Sequence, residues 1–192
     1  MKNKIIGLSI FLAIYLTGCF IPEKFDAKLT VNEDGSYVFI YDGTVVNAFA
    51  LEDIANNGKL SEEDEKEMKE FDDEVEKDDE IKSVKYIGNA RYKMKLEINK
   101  KKGEGLQVYE FFNVNFKEEV MNIFSTKLND RDRKDIESVG ATIVGKLKVD
   151  IPNKYEIVEH NADKKPKLGI GSYIWNIKDY GDNVIMKIKP KK

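Results

Sequence analysis

Along this chain of 192 residues the apolar positions follow two rhythms. Between Glu23 and Asn32, Ala27, Leu29 and Val31 alternate with Lys28 and Thr30, the period of a strand with one buried face. Glu33-Asp34-Gly35 then supplies turn residues, with a glycine able to take a positive φ. Ser36–Val46 resumes with aromatic and β-branched side chains, so a hairpin is expected. The same alternation returns at Tyr92, Met94, Leu96 and Ile98 against Arg91, Lys93, Lys95 and Glu97. The stretch 81–88 is expected to pair with it through Gly88-Asn89. Further strands are expected at 106–112, buried on both faces, and at 143–151, 155–158, 171–177 and 184–188. Residues 113–128 fit a helix and a strand equally well.

The second rhythm is helical. The stretch 47–60 reads as a short helix ended by Asn57-Gly58. Ser61 followed by Glu62, Glu63 and Asp64 places a cap and favourable charge at the start of a second helix. Met68, Phe71 and Val75 recur at i, i+3 and i+7, one narrow apolar stripe. The segment 61–80 is therefore expected to rest on the domain as a flap. A third helix is expected at 130–139, capped by Gly140. About eight one-faced strands and three helices imply an α+β fold. The expected form is a curved, mainly antiparallel β-sheet with about three helices packed on one side, the concave one.

Composition narrows the chemistry. The net charge of −3 conceals an asymmetry, because residues 61–80 carry thirteen acids against three lysines. Basic runs lie at Lys100–Lys102, around Lys164–Lys167 and at the C-terminus. No basic patch is interleaved with aromatics, so no nucleic-acid partner is expected. The single cysteine leaves no disulfide, and the single histidine, His160, rules against a His-based triad or a His-rich zinc site. In Glu159-His160-Asn161-Ala162-Asp163 it is expected to cap a turn, with Asn161 and Asp163 bonding local backbone. The acidic pairs Asp72-Asp73 and Asp78-Asp79 lack calcium-loop spacing and read as a solvated helix. No nucleotide-loop, nucleophile-elbow or zincin pattern occurs, so no cofactor or metal is expected and the chain does not read as an enzyme.

The N-terminus carries the strongest signal. Lys2 and Lys4 precede the twelve-residue apolar run Ile5–Leu16, which ends in Leu16-Thr17-Gly18 before Cys19. A basic start, a short apolar run and small residues form a secretory signal. A helical span takes about 20 apolar residues, so the run is too short to cross a bilayer comfortably. Leu16-Thr17-Gly18-Cys19 resembles the lipobox of bacterial lipoproteins. The resemblance implies a diacylglyceryl thioether on Cys19 and cleavage of residues 1–18. One domain, 19–192, would then be held on the extracytoplasmic face of a bacterial cell membrane. Each buried CH₂ contributes about 0.8 kcal/mol and one acyl chain holds only marginally, so the several chains of one modified cysteine suffice.

Two further stretches carry a family likeness: Leu29–Phe39, "LTVNEDGSYVF", and Lys148–Ile177, which runs strand, Pro turn, "HNAD", lysine-rich loop and a strand with a central Trp. With the lipobox they resemble the LppM-like lipoprotein domain of Gram-positive and related bacteria. That resemblance implies a small α+β module tied to the envelope, with lipid or glycolipid binding. The rings of Tyr37, Phe39, Tyr41 and Trp175 either fill the core or line an apolar groove covered by Met68, Phe71 and Val75, where a lipid tail could lie. The expected function is a membrane-anchored, non-catalytic module binding a lipid or glycolipid. The alternative is an assembly lipoprotein that holds an envelope protein and takes no small ligand.

Overall fold

The computed structural model of the protein describes residues 20–75, 78–167 and 171–191, with only the backbone described for 72–75. The first hairpin joins β1 (Phe20–Val31) to β2 (Tyr37–Asn47), paired from Phe20–Asn47 to Val31–Tyr37 with a register shift between Pro22 and Lys24. Its turn is closed by the Asn32 N–H donating to Ser36 O (2.8 Å), with Gly35 at φ 90°. Two helices follow, α1 (Ala48–Asn57) and α2 (Glu62–Val75). Next come β3 (Ile81–Gly88), β4 (Arg91–Lys100), β5 (Leu106–Val108), β6 (Phe112–Lys117) and β7 (Val120–Ser125). The chain ends with α3 (Asp130–Ser138), β8 (Val144–Asp150), β9 (Tyr155–His160), β10 (Tyr173–Ile177) and β11 (Ile185–Pro190).

The fold is α+β, with eleven strands and three helices among the described residues. The strands divide between two sheets. Sheet A has the order β10-β8-β1-β2-β4-β3 and sheet B the order β5-β6-β7-β11-β9. Pairing is antiparallel except for β1 with β8, which run parallel from Lys24–Val144 to Thr30–Asp150. The period-two pattern is met in β2 and β4, where Tyr37, Phe39, Tyr41 and Tyr92, Met94, Leu96 point to the core. Sheet B covers much of this face of sheet A. Phe112 stands 5.2 Å from Phe25 and 5.3 Å from Phe39, and Tyr109 stands 5.1 Å from Tyr41.

One row of sheet A shows how closely this core is fitted. Phe25 lies opposite Gly43 on β2 and opposite Gly145 on β8. A Cβ added at Gly145 would enter the Phe25 ring, so glycine on both flanks makes room for a ring that reaches Phe112 across the sheets.

The expected single sheet with helices on one side is two sheets, one expected strand needs correction, and one stretch that fitted both helix and strand is resolved. The stretch 106–112 is not one strand: Tyr109 and Glu110 take positive φ (52° and 51°), which ends β5 at Val108 and lets β6 start at Phe112. The ambiguous stretch 113–128 is a hairpin, with β6 and β7 paired from Phe112–Ser125 to Lys117–Val120. The cover over the strands is accordingly shared between a second sheet and the helices. α3 has no fully buried residue and contributes only Ile136 to the edge of the core.

Candidate functional site

The site grows from the end of sheet A where β1 begins. Phe20 pairs with Asn47, and the Asn47 side chain turns the chain into α1 by accepting the Ala50 N–H (3.1 Å). Gly58, at φ 81°, closes α1 by donating its N–H to Ile54 O (2.8 Å). Leu60 is buried, and Ser61 Oγ then accepts the Asp64 N–H (3.0 Å) to start α2. Two phenols fix α2 over β3 and β4. Tyr92 donates to Met68 O (2.8 Å), and Tyr86 donates to the Glu65 carboxylate (2.7 Å). Burial first, and then that carboxylate, push the Tyr86 phenol up to about 12. Phe20, Phe71 and Tyr92 form a mutual ring cluster, with centroids 5.5, 5.5 and 5.2 Å apart.

Between α1 and α2 lies an open groove of about 360 Å³. Its floor is Phe20, Leu60, Met68, Phe71 and Tyr92; Asp53, Asp64 and Glu67 stand on its rim. A second cleft of about 200 Å³ lies on the other side of Phe20, against Ile21, Tyr109, Phe111, Leu128 and Tyr180. The first volume falls in the range of small-ligand sites, and its lining has the usual mixture of apolar surface with a few polar groups. It offers rings, aliphatic groups and carboxylates.

The residues expected to share one groove are separated. Met68 and Phe71 do line the opening, on α2 as their spacing implied. Tyr37, Phe39 and Tyr41 are 0–1% exposed and pack between the sheets, so they are core residues. Tyr37 donates to Glu104 O (2.6 Å) and Tyr41 to Thr44 O (2.9 Å). Burial pushes the Tyr41 phenol well up and does the same at Tyr109. Trp175 is also buried, facing Leu147, and donates its ring N–H to Asn161 Oδ1 (2.7 Å). The Val75 side chain, the lipobox Leu16, Thr17 and Gly18, and Cys19 itself lie outside the described residues.

Phe20, Leu60 and the acidic rim were missed by sequence reasoning. Phe20 belongs to the buried face of β1 only because the register shifts between Pro22 and Lys24, which changes the parity of the strand. Glu23 sits at this irregularity, buried, and is held by Arg91 through Nε (2.8 Å) and a terminal nitrogen (2.9 Å). The hydrogen-bonded pair is the structural clamp that brings β4 to the start of β1. His160 Nδ1 accepts the Ala162 N–H (3.1 Å), a local turn cap as expected. Its neighbours act at longer range. Asn161 accepts from both Trp175 and the Ile185 N–H, and Asp163 accepts the Asn176 N–H, tying β10 of sheet A to β11 of sheet B.

Among the described residues no group of three His, Cys, Asp or Glu side chains could hold a metal ion, and no helix is long and apolar enough to cross a membrane. Comparison with protein-family models, curated proteins and solved structures finds no match to the chain.

Proposed function

We propose that this protein is a bacterial lipoprotein of the LppM-like kind, tethered through acyl chains on Cys19 at the extracytoplasmic face of the membrane. Its domain is a non-catalytic module that holds the apolar part of a lipid or glycolipid between α1 and α2. The observation that carries the reading is the open groove floored by Phe20, Leu60, Met68, Phe71 and Tyr92, with Phe20 one peptide bond from Cys19. A lipid leaving the bilayer beside the anchor would meet this floor first.

The rim restricts the head of the ligand. Carboxylates of Asp53, Asp64 and Glu67 stand at the mouth and repel a phosphate. A neutral sugar or a protonated amine suits them better, because hydroxyl and ammonium groups donate to carboxylates. The test is native mass spectrometry of residues 20–192 purified from bacterial cells, beside a Phe71→Glu variant. A co-purifying lipid with a neutral or amine-bearing head, lost in the variant, is expected. Protein that is empty in repeated preparations, or that carries equal lipid in both forms, would contradict the reading.

A further inference from the structure

Among the described residues four large hydrophobic side chains stand exposed: Phe49 (63%), Val144 (56%), Ile87 (51%) and Val158 (49%). Three of them gather at the end of sheet A where β1 begins. Phe49 lies two residues beyond Asn47, the partner of Phe20, and lines the mouth of the groove. Ile87 lies between Tyr86 and Gly88, which pair with Tyr92 and Arg91; these in turn pair with Val45 and Val46, the partners of Pro22 and Ile21. Val144 opens β8 opposite Lys24. Val158 belongs to sheet B.

The charges at this end have an order of their own. Val144, Lys24, Thr44, Lys93 and Lys85 form one row across the outer face of sheet A. Lys24, Lys85 and Lys93 are exposed along that row, Lys93 being held by Asp42 (2.7 Å). Val144 on β8 and Ile87 on β3 are four strand spacings apart, roughly 19 Å at about 4.8 Å each. Val144 and Ile87 thus stand on β8 and β3, Phe49 follows the end of β2 between them, and the lysines share the row of Val144.

We propose that this end of sheet A is a bilayer-docking surface. Phe49, Ile87 and Val144 enter the boundary between headgroups and acyl chains, and the lysines of the row lie at the level of anionic headgroups. The proposal rests on the reading that Cys19 carries the lipid, and goes beyond it. Acyl chains on one sulfur would fix a point; three separated apolar contacts fix an orientation. Exposed apolar groups with a phenylalanine suit the interface, and lysines reach headgroups while their stems lie on apolar surface. Position favours the bilayer over a second copy of the chain, because Phe20, paired with Asn47 at this same end, is one peptide bond from Cys19, and its acyl chains would hold this end at the membrane. In this orientation the groove mouth opens toward the headgroups, so a lipid could enter without crossing water.

The test uses the full lipidated chain in vesicles of phosphatidylcholine and phosphatidylglycerol with brominated acyl chains. Single substitutions Phe49→Cys, Ile87→Cys, Val144→Cys and Val158→Cys each receive a bimane label, while an acylated Cys19 takes none. All four positions are exposed, so the substitutions leave the core intact. Loss of fluorescence at 49, 87 and 144, with none at 158, is expected. The lost signal should return partly when phosphatidylglycerol is omitted. Protein that floats with the vesicles but shows equal signal at all four positions overturns the docking and leaves the anchor standing. Labels at 49, 87 and 144 that are shielded only in a dimer, seen by crosslinking, assign the face to a second copy and also overturn it. A parent chain that takes label at Cys19 and does not float overturns anchor and docking together.

Discussion

Two aromatic clusters lie on one face of sheet A, and they have opposite fates. Around Phe25, Phe39 and Tyr41 the rings meet Phe112 and Tyr109 of the facing segment, and the cavity beside Phe39 and Phe112 is about 10 Å³. Around Phe20, Phe71 and Tyr92 the rings meet one another, α2 and Tyr86 of β3, and about 360 Å³ stays open. Ring content does not separate them; cover does. A second sheet brings a continuous apolar face that fills to the density of a protein interior. Two short helices with acidic outer surfaces bring one narrow stripe each, with Leu51 the buried residue of α1 and Met68 the buried one among the described side chains of α2. A receptive groove thus arises where an apolar sheet face runs out of partners.

The contrast can be broken at its closed end first. Phe112→Ala removes the ring shared by Phe25, Phe39, Tyr41 and Phe111, and a loss of about 3–5 kcal/mol in urea unfolding is expected. A loss below about 1 kcal/mol would mean that the inter-sheet core is loosely packed.

The buried phenols give the next effect. Tyr41 and Tyr109 are held up by burial, so their folded pKa values lie above the unfolded value near 10. Their contribution is complete below pH 10 and is lost as pH rises through the folded values, by about 1.4 kcal/mol per pH unit for each phenol. Unfolding curves on either side of pH 10 should show this fall, with phenolate absorbance from these two rings appearing only as the chain unfolds. Reversible phenolate formation by both rings near pH 10 in folded protein would place them in contact with water.

Gly145→Ala sharpens the comparison within the core, since the new methyl group meets the Phe25 ring. About 1–3 kcal/mol of destabilisation is expected in the same unfolding assay, while lipid retention in the groove stays unchanged. Phe71→Ala should do the reverse. The ring is only half-buried, so stability falls by about 1 kcal/mol while retained lipid is lost. Equal stability losses at Phe112 and Phe71 would erase the distinction between the two clusters.

Much of the local structure was legible because alternation and turn chemistry agreed. The β1–β2 hairpin, β4, the caps of α1 and α2, and the turn role of His160 all follow from residues within a few positions of one another. The division into two sheets was not legible, because one-faced strands look the same whichever layer covers them. Tyr109 and Glu110 gave no warning of their positive φ, since neither is a residue type that prefers it. The groove was half legible. Met68 and Phe71 announced themselves by helical spacing, whereas Phe20 was hidden by the register shift after Pro22, and Tyr37, Phe39, Tyr41 and Trp175 were drawn in by ring content alone. The long-range bonds of Asn161 and Asp163 depend on which strands become neighbours, and no local pattern reports that.

The most direct test of the groove uses living membranes. A photoactivatable fatty acid fed to cells becomes part of their lipids, and irradiation followed by peptide mass mapping shows where acyl chains touch the domain. Adducts concentrated on peptides containing Phe20, Met68 and Phe71, and absent from those containing Phe39 and Phe112, are the expected result. Adducts spread evenly over the surface, or none within the domain, would contradict a lipid-holding groove between α1 and α2.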